Sequence, residues 1–252
     1  MPKEVELKLR CVEPVSWERL LSAAAIIGVE PVGESQEKQL VNTYYDTRAL
    51  DLNKRKVALR IRAKDNRHIQ TLKTAGASIE GVHQRGEWEW DLSENRLDHD
   101  LLAATEAWPS DLLGLELLAV FNTDFTRISQ DVEFKHLLFE LVLDQGKITT
   151  GNSESFELIE EIEVEFKPKR AGAHNARNTN ARNTTARNTT ARTCGSSANK
   201  DADAISESIP SFETIVLVMR ELAEQLTKAL PLALDDRSKA ERGYKLFEAV
   251  SG

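Results

Sequence analysis

Charged and apolar residues alternate strictly at the start of the chain. In MPKEVELKLR, Glu4, Glu6, Lys8 and Arg10 take every second position, and Val5, Leu7 and Leu9 fill the gaps. That is the period of a β-strand whose side chains leave on opposite faces. The pattern recurs. Glu161, Glu163 and Glu165 oppose Ile162, Val164 and Phe166; Arg60, Arg62 and Lys64 oppose Val57, Leu59 and Ile61; Arg85, Glu87, Glu89 and Asp91 oppose Trp88 and Trp90. One such strand is satisfied by a face in water. Several of them leave two choices: every charged face is solvated, or the strands curl so that the charged faces meet inside. A dry interior of charges is ruled out by desolvation and repulsion. A wet interior holding a highly charged ligand is not. Because basic and acidic faces lie on different strands, the pattern suits a polyanion clamped by Arg and Lys, with divalent metals held by carboxylates.

The remaining chain supplies further strands and a few helices. Pro14 is placed to open a helix, with Trp17, Leu20, Leu21 and Ala24 at helical spacing and Gly28 as the stop. A strand is expected over 37–45, its faces mixed. Strands over 57–64 and 68–74 form a hairpin through Asp65-Asn66. Residues 75–84 read as a connection with His83 as an exposed loop histidine, and 85–92 as a strand whose Trp88 and Trp90 serve as outer-face core. A helix over 101–108 ends at Pro109. Strands follow over 121–128 and 134–143, then a turn at Gln145-Gly146, then the acidic strand over 156–166. Ile215, Met219, Leu222 and Leu226 mark a helix over 212–230, and 238–247 is a short final element. Between these lies a segment, about 170–203, in which Arg177-Asn178-Thr179-Asn180-Ala181 recurs nearly unchanged from Arg182 and from Arg187. It has no apolar face to offset ordering entropy, so it reads as a disordered insert within one domain spanning 1–252.

Composition narrows the partners. The 252 residues are 40% hydrophobic, enough for one large β-domain or two small ones, and the net charge of −8 argues against general nucleic-acid binding without excluding a local basic pocket. Cys11 and Cys194 fit no metal spacing. With no signal-like start and no long apolar run, the reading is a soluble cytoplasmic protein with no membrane partner.

These segments carry a family resemblance. Glu4-Val5-Glu6-Leu7-Lys8 resembles the ExExK signature of the CYTH superfamily, the triphosphate tunnel metalloenzymes. YYDT (44–47), LRIR (59–62), TLK (71–73), FTR (125–127), FELVLDQG (139–146), EIEVEF (161–166) and SKAERGY (238–244) follow in the family's order. The resemblance implies an α+β fold, a closed eight-stranded antiparallel β-barrel with flanking helices. It also implies Mg²⁺ or Mn²⁺ as cofactor and a triphosphate substrate.

It further implies site roles. Lys8, Arg60, Arg62, Lys73, Arg85, Arg127 and Lys239 surround the phosphates. Glu4, Glu6, Asp144, Glu161, Glu163 and Glu165 supply metal ligands, and Glu4, Glu6, Lys8, Lys73 and Glu163 form the catalytic set. Glu87, Glu140 and Asp144 orient cations or water, or form wall ion pairs. Within the superfamily the chain lacks the HF pair that precedes ExExK in class IV adenylate cyclases, which favours hydrolysis of inorganic triphosphate to pyrophosphate and phosphate. Thiamine triphosphatase and a non-catalytic polyphosphate- or nucleotide-binding module are the alternatives. Triphosphatase members often carry a C-terminal helical CHAD domain; this sequence stops at Gly252 without one, which marks a stand-alone enzyme or a shortened chain. An empty tunnel crowded with like charges is strained, so Glu4→Gln, Glu6→Gln, Arg60→Ala and Arg62→Ala are expected to lose activity without a parallel loss of stability.

Overall fold

The computed structural model describes residues 3–64, 67–79, 81–151, 154–168 and 210–251. The insert expected at 170–203 and the Asp65-Asn66 turn lie outside them. In chain order the elements are β1 (Lys3–Cys11), α1 (Trp17–Ile26), β2 (Glu30–Asp46), α2 (Asp51–Lys54), β3 (Ala58–Lys64), β4 (Arg67–Lys73), β5 (Ala77–Ile79), β6 (Val82–Leu92), α3 (His99–Ala103), β7 (Leu118–Phe134), β8 (Leu137–Thr149), β9 (Phe156–Lys167), α4 (Phe212–Ala229), β10 (Leu232–Leu234) and α5 (Lys239–Ser251).

Alternation along β1 decides which way the sheet curls. Val5, Leu7 and Leu9 are buried with Leu20 and Ala24 of α1 and with Met219, Leu222 and Leu226 of α4. This apolar layer continues over Phe139, Leu141 and Leu143 of β8 and Ile162 and Val164 of β9. A second outer layer joins Leu59 and Leu72 to Leu52, Leu102, Trp108 and Leu112, with Trp90 packed against it. The helices thus take the apolar faces, and the charged faces turn inward. Eight strands close in the order β1-β9-β8-β7-β2-β3-β4-β6, with β6 pairing back onto β1. All the pairings are antiparallel. The short β10 and β5 extend β1 and β6. The result is the expected closed eight-stranded antiparallel barrel.

One end of the barrel is filled by a third apolar cluster of Leu40, Tyr44, Phe121, Phe125, Ile148, Ile159 and Tyr244. Tyr244 comes from α5, which packs on that end. A Cβ at Gly243 would lie 2.2 Å from a Phe121 ring carbon, so the helix backbone rests directly on the ring.

Several local readings are corrected. α1 is capped by Ser16, whose Oγ accepts from the Arg19 amide at 3.3 Å, so Pro14 stands outside the helix. The side-chain acceptor satisfies an amide that proline could not. β2 begins at Glu30 rather than near Glu37. The connection at 75–84 contains β5, and β6 starts at Val82, which draws His83 into the sheet. α3 stops at Ala103, where the Thr105 hydroxyl donates to the Leu101 carbonyl at 2.8 Å and the chain turns. Gln145-Gly146 is no turn. It lies inside the continuous β8, where a Cβ at Gly146 would fall 2.2 Å from the Asp124 carbonyl oxygen. This glycine serves close backbone approach. The reversal between β7 and β8 is made instead by Lys135 and His136, at φ 49° and 65°, the two left-handed residues of a tight hairpin.

Candidate active site

Strand register sets the tunnel wall. Lys8 stands opposite Glu163, and Glu6 opposite Glu165. On its other edge, β1 sets Glu4 opposite Arg85 and Glu6 opposite His83. Lys73 faces Glu87, Arg60 faces Tyr44 and Arg62 faces Asn42, and Arg127 faces Asp144. The cavity between these strands is about 650 Å³, and among the described residues its lining carries twelve Lys and Arg against nine Asp and Glu. A chain of net charge −8 therefore surrounds a basic pocket, as an anion site requires. Of the residues expected at the site, Glu4, Glu6, Lys8, Arg60, Arg62, Lys73, Arg85, Arg127, Glu163, Glu165 and Lys239 line the cavity. Asp144 and Glu161 are buried behind it, in contact with Lys239.

The charges form two knots. In the first, Glu4 accepts from Lys73 at 2.8 Å and from Arg85 at 3.0 Å. Glu6 accepts from Lys8 at 2.8 Å and from Arg85. In the second, Arg127 forks onto Asp144 at 2.8 and 2.6 Å and reaches Glu163 at 2.6 Å. Lys239 contacts Asp144 at 2.6 Å, Glu163 at 3.0 Å and also Glu161. Arg242 pairs with Glu161 at 2.8 Å and Glu157 at 2.6 Å. At the far end of the cavity, Lys167 bridges Glu140 and Glu165, each at 2.9 Å.

Arg60 and Arg62 stand apart from both knots. Arg60 is 8% exposed, its Nε has no hydrogen-bond partner among the described residues, and its nearest carboxylate, Glu87, is 3.9 Å away. Arg62 donates from Nε to Asn42 at 2.9 Å. Burial, with Arg60 and Arg127 adding repulsion, pulls its guanidinium down to about 9. Burial opposes the charge of Arg60 too, but Tyr44 and Glu87 outweigh it and raise the group, so Arg62 is the under-compensated cation of the two, and both line the cavity.

The carboxylates divide by partner. Burial alone would raise Glu4, Glu6 and Glu163, but the cations hold all three below the usual range: Lys73 and Arg85 at Glu4, Lys8 and Arg85 at Glu6, Lys239 and Arg127 at Glu163. Burial prevails at Glu161 and Glu165, with Glu163 repelling the first and Glu4 the second, and both are raised. The linkage therefore has two signs. Glu4, Glu6 and Glu163 contribute stability above the ordinary 4.5 that is lost as pH falls through their lowered values. Glu161 and Glu165 take up protons above 4.5 in the fold, which stabilises it as pH falls toward that value. Urea midpoints across a pH series are expected to peak on the acid side of neutrality and fall steeply below about pH 4. A monotonic decline from pH 7 downward would contradict this assignment.

Some residues escaped the sequence reading. Tyr44 faces the cavity and accepts from Arg60 at 3.5 Å; burial would raise its phenol, but Arg60 and Arg62 outweigh that and lower it. His83 is not in an exposed loop. It lies on β6 opposite Glu6, lines the cavity, and its buried Nε2 has no partner among the described residues. Lys64, near the end of β3, also lines the cavity, whereas Arg10 pairs with Asp235 at 3.9 Å and its side chain is about half exposed. Arg242 could have been found: it follows Lys239 by three residues, which puts both on one face of a helix.

The CYTH domain family matches residues 2–184 of the chain. The chain belongs to the CYTH family. A relative from Haemophilus influenzae, named inorganic triphosphatase, is 36% identical over 173 residues, covering 66% of this chain and 46% of the relative. The chain thus spans about half the length of the curated relative it matches. Among solved structures, a Pyrococcus horikoshii protein aligns over 96% of this chain and 98% of its own at 17% identity with a TM-score of 0.50, a likeness of fold. A Hippeastrum protein, described as an adenylyl cyclase with a dominant triphosphatase activity, aligns over 96% of this chain and 95% of its own at 17% identity, with a TM-score of 0.48. Among the described residues of this CYTH chain, no helix is long and apolar enough to cross a membrane.

Proposed function

We propose that the chain hydrolyses inorganic triphosphate to pyrophosphate and phosphate inside the tunnel, with Mg²⁺ or Mn²⁺ as cofactor. The observation that carries this reading is the pair Arg60 and Arg62: a buried and a half-buried guanidinium on one face of β3, both lining the cavity, with no carboxylate hydrogen-bonded to either among the described residues. A polyphosphate oxygen array is the ligand that such forks are built to take. Lys8, Lys73, Arg85, Arg127 and Lys239 ring the same cavity. They hold the phosphate chain in line and offset its charge, which is most of what phosphoryl transfer asks of a protein.

The donor set fits a hard divalent ion. Carboxylate oxygens of Asp144, Glu161 and Glu163 come within 4.8 Å of one another, and an all-oxygen set is what Mg²⁺ and Mn²⁺ take. Glu4, Glu6 and Glu165 line the same acidic wall and would hold metal with them. When bound, the ion would neutralise phosphate charge and acidify a bound water. Glu4, Glu6 and Glu163 are held ionised by their cation partners and so stay available as ligands.

The Phe, Tyr and Trp side chains among the described lining residues are Tyr44, Phe125 and Tyr244, all in the apolar plug, and the one further ring is the His83 imidazole on β6. The opposite end, lined by Arg62, Lys64, Glu89 and Lys167, offers no shelf for a thiamine or nucleoside tail, which favours the bare substrate. The relative named inorganic triphosphatase supports the same choice. Phosphate release from inorganic triphosphate, ATP and thiamine triphosphate, measured side by side with Mg²⁺, Mn²⁺ and EDTA, tests this reading. Inorganic triphosphate should lead, and EDTA should abolish turnover. Turnover in EDTA would sink the metal role, a lead for thiamine triphosphate would change the substrate, and tight binding without turnover would make the chain a binding module.

A further inference from the structure

The space between Asp144, Glu161 and Glu163 is filled by Lys239. Its Nζ lies 2.6 Å from Asp144 and 3.0 Å from Glu163, and it contacts Glu161. The Asp144 side chain is fully buried and the other two nearly so. Arg127 and Arg242 bind the same carboxylates from outside. Three acids therefore meet three close cations, with Lys8, 3.9 Å from Glu163, as a fourth at longer range. A divalent ion using these oxygens would bring two more positive charges into a neutral, buried knot and would meet the Lys239 ammonium at contact distance, where charge repulsion is strong.

One of the three cations is built to give way. Arg127 is fixed by a bidentate fork, and Arg242 is fixed by Glu157 and the Leu158 carbonyl as well as by Glu161. Lys239 stands at the first turn of α5, carries its charge on a flexible stem, and lines the cavity. We propose that Lys239 is a tethered cation that competes with the divalent metal for the Asp144–Glu161–Glu163 cage. The idea rests on the metal-dependent function proposed above. It also couples the two ligands: a polyphosphate that draws Lys239 into the cavity vacates the cage, so anion and metal each favour the other's binding.

The test is Mn²⁺ binding without substrate, read by electron paramagnetic resonance of free Mn²⁺, for the unaltered protein and Lys239→Met. Methionine keeps the length and removes the charge. The variant is expected to bind Mn²⁺ at least about tenfold tighter, the scale of a modest electrostatic coupling. A variant that folds only when Mn²⁺ is present would agree. In the unaltered protein, Mn²⁺ should speed reductive methylation of Lys239, followed by mass spectrometry. Equal or weaker Mn²⁺ binding by a folded variant overturns the competition, as does labelling of Lys239 that is unchanged at saturating Mn²⁺. If neither protein binds Mn²⁺, the metal reading itself falls, and this inference with it.

Discussion

Arg62→Ala is expected to lower kcat/KM for inorganic triphosphate roughly 30- to 160-fold, the loss of one charge-assisted contact of about 2–3 kcal/mol, while the protein stays as stable as before. The two halves of this result have one cause. Arg62 is half-buried beside Arg60 and Arg127, and its guanidinium is pulled down to about 9. A cation whose folded value is lowered is charged at some cost to the fold at neutral pH. Removing it forfeits one hydrogen bond to Asn42 and relieves that repulsion. The melting temperature should hold or rise. Added Mg²⁺ should not restore activity, because the missing group binds phosphate. Arg62→Lys should recover part of the loss, since it returns the charge without the fork. A folded Arg62→Ala variant with full activity would remove the main support for a triphosphate site.

Asp144→Asn should behave in the opposite way and lose stability first. Its side chain has no exposed surface, and it takes a two-toothed fork from Arg127 and a contact from Lys239 at 2.6 Å. Neutralising it leaves two buried cations short of charge, and breaking a buried pair from one side costs about 3–5 kcal/mol. Urea denaturation in EDTA should record that loss, with turnover falling even where the variant remains folded. An unfolding midpoint equal to the parent's would mean that the knot is solvated and the pairing weak. Asp144 is a counter-ion as well as a proposed ligand, which sets it apart from Arg60 and Arg62.

The wall of the tunnel was legible because its rule is local. A two-residue period shows which side chains share a face, and a cluster of such strands shows that the faces must meet. Glu4, Glu6, Arg60, Arg62, Arg127 and Glu163 were placed on that basis, and the register bears out their common side. Partnership is not local. Nothing in the spacing of Lys239 shows that its ammonium lies among Asp144, Glu161 and Glu163, since that depends on how α5 seats on the barrel end. Gly146 looked like a turn because glycine serves both bends and close approaches, and what decides between them is the Asp124 backbone of the adjacent strand. His83 looked like loop because β5 and β10 are too short to carry a period of their own.

The seam at β1 has a consequence for the order in which the molecule assembles. The strand made first pairs with β6 through Glu4–Arg85 and with β9 through Lys8–Glu163. Of the two, β6 is the nearer neighbour along the chain, and β9, which follows β1 by about 150 residues, is the distant one. Loops of that size close slowly, and topologies dominated by distant pairings fold on the slow side. During synthesis β1 waits with one edge unmatched until Lys167 has emerged, and the cations and acids that later balance one another across the seam spend that interval in water. The ring closes only when β1 is joined to β9, and the site is complete only when α5 brings Lys239 to it.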